Sequence, residues 1–97
     1  MVGMYRSIDE IVIDILKAAS DGAKKTHIMQ RANRNPLMFK KYFPLLMENA
    51  LIVEKADPDG GSIYMLSDEG REFLKKYMSL QTMFTKMAKE EPPHVLR

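Results

Sequence analysis

The 97-residue chain contains no cysteine, so disulfides and thiolate metal sites are excluded outright. Its two histidines, His27 and His94, lie far apart in the chain and give no metal-ligand spacing. No apolar run approaches the roughly 18 to 20 residues that a membrane span needs. The N-terminal MVGMYRSIDE has neither an apolar core nor a cleavage pattern, so nothing marks it for export. We therefore expect a cytoplasmic protein with no membrane partner. A Gly-rich phosphate loop and a nucleophile–base constellation are also missing, which argues against an enzyme and against any cofactor. Hydrophobic residues at 45% and charged residues at 29% place the chain among ordinary globular proteins, long enough for one core and too short for two.

Acidic residues are missing where basic ones concentrate. Between Asp21 and Glu48 there is none, while Lys24, Lys25, Arg31, Arg34, Lys40 and Lys41 all fall within that interval. The net charge of +2 is small, but a local patch of one sign attracts phosphates even on a nearly neutral chain. Helical spacing runs through the same stretch. Thr26 to Ala32 carries Ile28 and Met29 on one side. Asn33-Arg34-Asn35 then breaks the pattern with residues that favour turns and N-caps. Pro36 suits a first helical turn, whose N–H has no intrahelical partner anyway. Phe39, Phe43, Leu46, Met47 and Ala50 follow at steps of three or four, with Lys40 and Lys41 off that face. Two short helices about a tight turn, the second one basic, form a helix-turn-helix pattern. Pro44 must remove the bond to the Lys40 carbonyl, so the second helix either kinks there or is split in two.

Upstream, Ser7 and Glu10 have capping-box spacing, which ties off two helix-start N–H groups. Ile8, Ile11, Val12, Ile15 and Leu16 predict the buried face of a first helix that ends at Gly22, a left-handed cap. Downstream, Leu51 to Lys55 and Ser62 to Leu66 alternate as strands around the turn Asp57-Pro58-Asp59-Gly60-Gly61. Ile63 and Met65 share one face of the second strand, Tyr64 and Leu66 the other. Such a hairpin after a helix-turn-helix is a wing, with Lys55 its one basic residue and an acidic tip that repels phosphates. Ser67 caps a last, long helix. In it Phe73, Tyr77, Leu80, Phe84 and Met87 advance by four, three, four, three as a heptad seam. Leu74 and Met78 form the adjacent stripe expected to pack on the domain. Met83, Phe84 and Met87 have no cover within one chain, and a second copy of the helix is expected to supply it. Glu90-Glu91-Pro92-Pro93 ends the helix, leaving His94 to Arg97 as a loose end. The heptad spacing leaves the helix direction in the pair open.

The segments IDEIVIDILKAASDGAKKTHIMQRAN, FKKYFPLLMENALI and IYMLSDEGREFL, with the heptad helix after them, resemble the archaeal winged-helix proteins related to the ten-kilodalton chromatin protein of Sulfolobus. The resemblance covers about Arg6 to Lys89. It implies a winged helix joined to a C-terminal helix that forms an antiparallel coiled-coil dimer, with double-stranded DNA as partner. By that resemblance the contact candidates are Lys25, Thr26, His27, Arg34, Asn35, Lys40 and Lys41.

We therefore expect a mostly α fold with a small β-hairpin (α+β). Residues 1–67 form the winged helix-turn-helix domain, 68–91 the dimerisation helix and 92–97 a tail. The function expected is that of a homodimeric double-stranded DNA-binding protein, nucleoid-associated, either a transcriptional regulator or a chromatin-associated factor. Lys24, Lys25, Thr26, His27, Arg31, Arg34, Asn35, Lys40, Lys41 and Lys55 are its DNA-contact candidates. Phe73, Tyr77, Leu80, Met83, Phe84 and Met87 are the dimer candidates. Base reading falls to Asn35, which can pair with adenine, and to apolar Leu37 and Met38, so sequence preference should be modest. The alternative is a winged helix used as a protein-interaction module whose basic face docks an acidic partner.

Overall fold

The computed structural model describes residues 8–32 and 36–90. Six elements follow in chain order: α1 (Ile8–Ala18), α2 (Lys25–Ala32), α3 (Pro36–Glu48), β1 (Ile52–Ala56), β2 (Ser62–Leu66) and α4 (Asp68–Glu90). The expected Ser7 cap, the break at residues 33–35 and the tail from Glu91 lie outside the described residues.

Asp9 and Glu10 occupy the first turn of α1, where carboxylates favour the positive end of the helix. Its buried residues are Ile11, Ile13, Ile15, Leu16 and Ala18. This corrects the expected single face. Ile8 is 61% exposed and Val12 only partly buried, whereas Ile13 is 3% exposed. The reason is that α1 is covered on two sides. Helices α2 and α3 pack on one, and α4 brings Tyr77 and Gln81 beside Ile13 on the other.

Helix α3 runs through Pro44 as one element. Pro44 is exposed, so the Lys40 carbonyl it releases can be solvated. Phe39, Phe43 and Leu46 are buried as the spacing predicted, but Met47 is only partly buried and Ala50 is exposed beyond the helix end. Phe39 stacks on Phe43 at 4.8 Å between ring centroids, and Phe43 meets Tyr64 edge-on at 5.2 Å, which ties the helix to the hairpin. At the end of α3 the Leu51 N–H donates to the Leu46 carbonyl (2.9 Å) and the Ala50 N–H to that of Met47 (3.0 Å). This is a Schellman closure, and it places Ala50 in the left-handed region at φ +62°. Because Leu51 serves that corner, β1 starts one residue later than the alternation suggested.

The strands pair antiparallel in the register Ile52↔Leu66 through Ala56↔Ser62. Tyr64 and Leu66 face the core, Leu66 with its buried partner Ile52. The turn is closed by Gly60 and Gly61 at φ +109° and +75°, values open to glycine and strained for other residues. Gly22 is left-handed at φ +80°, but α1 ends at Ala18. It therefore closes the following turn, its N–H donating to the Ala19 carbonyl at 3.0 Å, and does not cap the helix. One element was not expected. Ala23 forms a bridge to Tyr64, each N–H donating to the other's carbonyl at 3.0 and 2.8 Å. It acts as a one-residue strand along the outer edge of β2.

Ser67 Oγ accepts the Gly70 N–H at 2.9 Å, the N-cap expected for α4. The same hydroxyl donates to the Ala50 carbonyl, and the Ser67 N–H donates to the Leu51 carbonyl. The start of α4 is thus docked on the corner after α3. Gly70 makes this possible, because a Cβ there would lie 2.1 Å from the Leu51 oxygen. Leu74 and Tyr77 pack on the core, while Met78 is exposed. Tyr77 and Met78 thereby exchange the places their spacing suggested. Every residue from Met78 to Lys89 is exposed, and the helix extends away from the domain.

Candidate nucleic-acid interface

The exposed side of α2 and α3 is assembled from the acid-free segment. Ile28 and Ala32 hold α2 to the core, which turns Thr26, His27 and Gln30 outward. Phe39, Phe43 and Leu46 do the same for α3, leaving Pro36, Leu37, Lys40, Lys41, Pro44 and Leu45 outside. Lys55 is exposed on β1. The expected contacts Arg34 and Asn35 lie outside the described residues.

The cations here differ in how much of their charge faces outward. Lys24 Nζ forms an ion pair with Asp57 at 2.8 Å and donates to the Gly60 carbonyl at 2.7 Å. It joins the start of α2 to the wing tip. The hydrogen bond from Lys24, then one from the Asp59 N–H, holds the Asp57 carboxyl below its usual range near 3.8. Half of the expected acidic tip is therefore countered inside the molecule. Lys25 Nζ sits 5.4 Å from the centre of the Phe43 ring, a cation–π contact between α2 and α3. Arg31 donates to the Ala18 carbonyl at 3.3 Å, placing a cation at the negative end of α1. Lys41 lies over Tyr42 at 5.4 Å. Lys40 and Lys55 take part in no ion pair among the described residues. The structural roles of Lys24 and Arg31 had no signal in the sequence, since their partners are remote. Leu37, 73% exposed, and Leu45, 43% exposed, add apolar ground to the outer side of α3.

The dimer candidates separate in the same way. The Tyr77 hydroxyl donates to Asp9 Oδ2 at 2.8 Å, joining α4 to α1 within the chain. That bond to a carboxylate raises the phenol's pKa above its usual value of 10. Phe73, Leu80, Met83, Phe84 and Met87 are exposed, Phe84 by 64%. Among the described residues no group of His, Asp or Glu side chains comes together as a metal site, and no helix is long and apolar enough to cross a membrane.

Three helices, a hairpin clipped at its edge by a single strand residue, and a helix leaving from the hairpin's far end define a winged helix with a helical extension. Residues 5–85 match the winged helix-turn-helix family model, and the chain belongs to that family. Among solved structures it is similar to the crystal structure of Sso10a-2, a DNA-binding protein from Sulfolobus solfataricus. The identity is 24% and the TM-score 0.67, over 95% of this chain and 98% of that one. The likeness shows a shared fold over nearly the whole of both chains, in line with the resemblance read from the sequence. No curated protein matches the chain.

Proposed function

We infer that this protein binds double-stranded DNA as a homodimer, as a transcriptional regulator or chromatin-associated factor in the cytoplasmic nucleoid. The observation that carries this is the acid-free α2–α3 segment, whose cations, Lys40 foremost, are exposed on the outer side of the helix pair. Binding of this kind needs no catalytic group. Lysine and arginine displace counterions from phosphates, so affinity falls steeply with salt. The start of α3 enters the major groove, with α2 and the wing against the backbone. Leu37 offers a thymine methyl an apolar contact, and its limited polar repertoire favours modest sequence preference. The similarity to a DNA-binding protein over both chains supports the same partner. The exposed apolar residues of α4 support a second copy as the other partner, through Phe73, Leu80, Met83, Phe84 and Met87.

A winged helix whose basic face docks an acidic protein is the second reading, favoured by apolar Leu37 and Leu45 exposed on α3, which a protein surface can cover. A gel-shift series with two unrelated duplexes at low and high salt separates the two. Retardation of both duplexes that collapses at high salt supports DNA. An absence of retardation at low salt would move the acidic-protein reading to first place.

A further inference from the structure

The chain has a second stretch without a carboxylate. Between Glu72 and Glu90 there is no acidic residue, while Lys75, Lys76, Lys86 and Lys89 all fall there, with Arg71 just before. The stretch is helical throughout. At roughly 100° per residue, Arg71, Lys75, Lys86 and Lys89 share one side of α4, with the hydroxyls of Ser79 and Thr82 between them. That side lies roughly opposite Phe73, Leu80, Phe84 and Met87, while Met83 borders it, so a dimer centred on Leu80, Phe84 and Met87 leaves most of it uncovered. All of these polar residues are exposed, and the row is about 27 Å long. At its start it walls an open, mostly apolar groove of about 740 Å³ that Leu66, Leu74, Met78 and Met83 also line.

Arg71 and Lys75 are four apart and Lys86 and Lys89 three apart, spacings at which like charges repel, while Asp68 and Glu72 precede Arg71 and Lys75 by three. Among the described residues no carboxylate pairs with any of them. An extended anion alongside would relieve that repulsion. A DNA duplex is a straight rod with one negative charge per about 1.7 Å, and its phosphate oxygens accept hydrogen bonds from lysine, serine and threonine alike. An acidic protein surface offers no such regular line. We propose that the Arg71–Lys89 side of α4 is a second binding surface for the phosphate backbone of double-stranded DNA, separate from the α2–α3 face. The choice of DNA as the anion rests on the function proposed above.

The test is affinity for a duplex of fixed length over a salt series, using the whole chain and three variants. The first is Lys75→Gln with Lys86→Gln and Lys89→Gln, which keeps helix propensity nearly unchanged. The second places Arg at the same three positions. The third is Lys40→Ala with Lys41→Ala. We expect the Gln variant to lower the slope of log affinity against log salt by up to about 2.7 per protomer, at 0.9 per lost contact. The Arg variant should match the wild type, and combining the Gln and Ala sets should add their losses. Far-UV circular dichroism checks that the helix is kept. An unchanged slope in the Gln variant, with a reduced one in the Ala variant, overturns the second surface and leaves the proposed function standing. The reverse supports the α4 surface and removes the α2–α3 one. A wild type that binds polyglutamate but no DNA overturns both.

Discussion

Lys24 and Asp57 show how a residue's neighbours redirect its charge. Their ion pair fixes the wing tip to α2, and the carboxyl's pKa is held below its ordinary value. A carboxyl whose pKa is depressed on folding contributes stability above its unfolded pKa, and that contribution is lost as pH falls through the lower folded value. The tie should therefore be intact near neutral pH and weaken below about pH 4. The protection factors of the Gly60 and Asp57 amides, both bonded within the turn, should fall there relative to intrinsic exchange at the same pH. Lys24→Met should lower that protection near neutral pH, where the tie is intact, and no difference between mutant and wild type at pH 7 would remove the tie. Two backbone positions make opposite predictions of stability. Ala50 sits at φ +62°, so Ala50→Gly should stabilise by about 0.5–1 kcal/mol and raise Tm by roughly 2–8 °C. Gly70→Ala forces a methyl onto the Leu51 carbonyl and should destabilise by about 1–3 kcal/mol. Urea denaturation of both variants checks the signs.

Among the elements, α3 separates buried from exposed residues by face. Phe39, Phe43 and Leu46 hold it in the core, while Lys40 and Lys41 are exposed on other sides of the same helix. Lys40→Ala with Lys41→Ala should therefore weaken binding on all DNA sequences alike. The log–log salt slope should flatten by about 0.9 per contact, or up to about 3.6 for a dimer that loses four. Stability should move by no more than about 0.5 kcal/mol, as is usual for exposed substitutions. A melting point that falls sharply while the slope stays the same would make these lysines structural. Arg31 and Lys25 contrast with them. One caps α1 and the other lies over Phe43, so their removal should cost fold stability as well as affinity.

The whole molecule measures 60 × 30 × 20 Å, and its long dimension reflects α4. From Met78 to Lys89 every side chain of that helix is itself exposed, although Gln81 still lies beside Ile13. Burying a Phe or Met is worth about 1.5–3 kcal/mol, and a symmetric pair doubles it. Phe84→Glu should shift sedimentation from dimer to monomer while the winged helix, whose core does not include Phe84, keeps its cooperative unfolding. An unchanged dimer would place the self-association surface elsewhere.

The sequence alone determined what neighbours three or four residues apart encode. Those features are the helix faces of α2 and α3, the Ser67 cap, the left-handed Gly22, the Gly-rich turn between alternating strands and the uncovered stripe on α4. Backbone geometry sets such signals within one or two turns, so composition and spacing suffice to read them. Only the tertiary structure decided which cations face outward. Lys24 meets Gly60 across 36 positions, Arg31 meets Ala18 across 13, and Tyr77 meets Asp9 across 68. It also decided that Ile13 is buried and Ile8 is not, that Tyr77 lies inside and Met78 outside, and that Ala23 completes the sheet edge. These depend on the angles at which α4 crosses α1 and the hairpin meets α2. Close packing sets those angles through many side chains at once, and no local stretch of sequence carries that information.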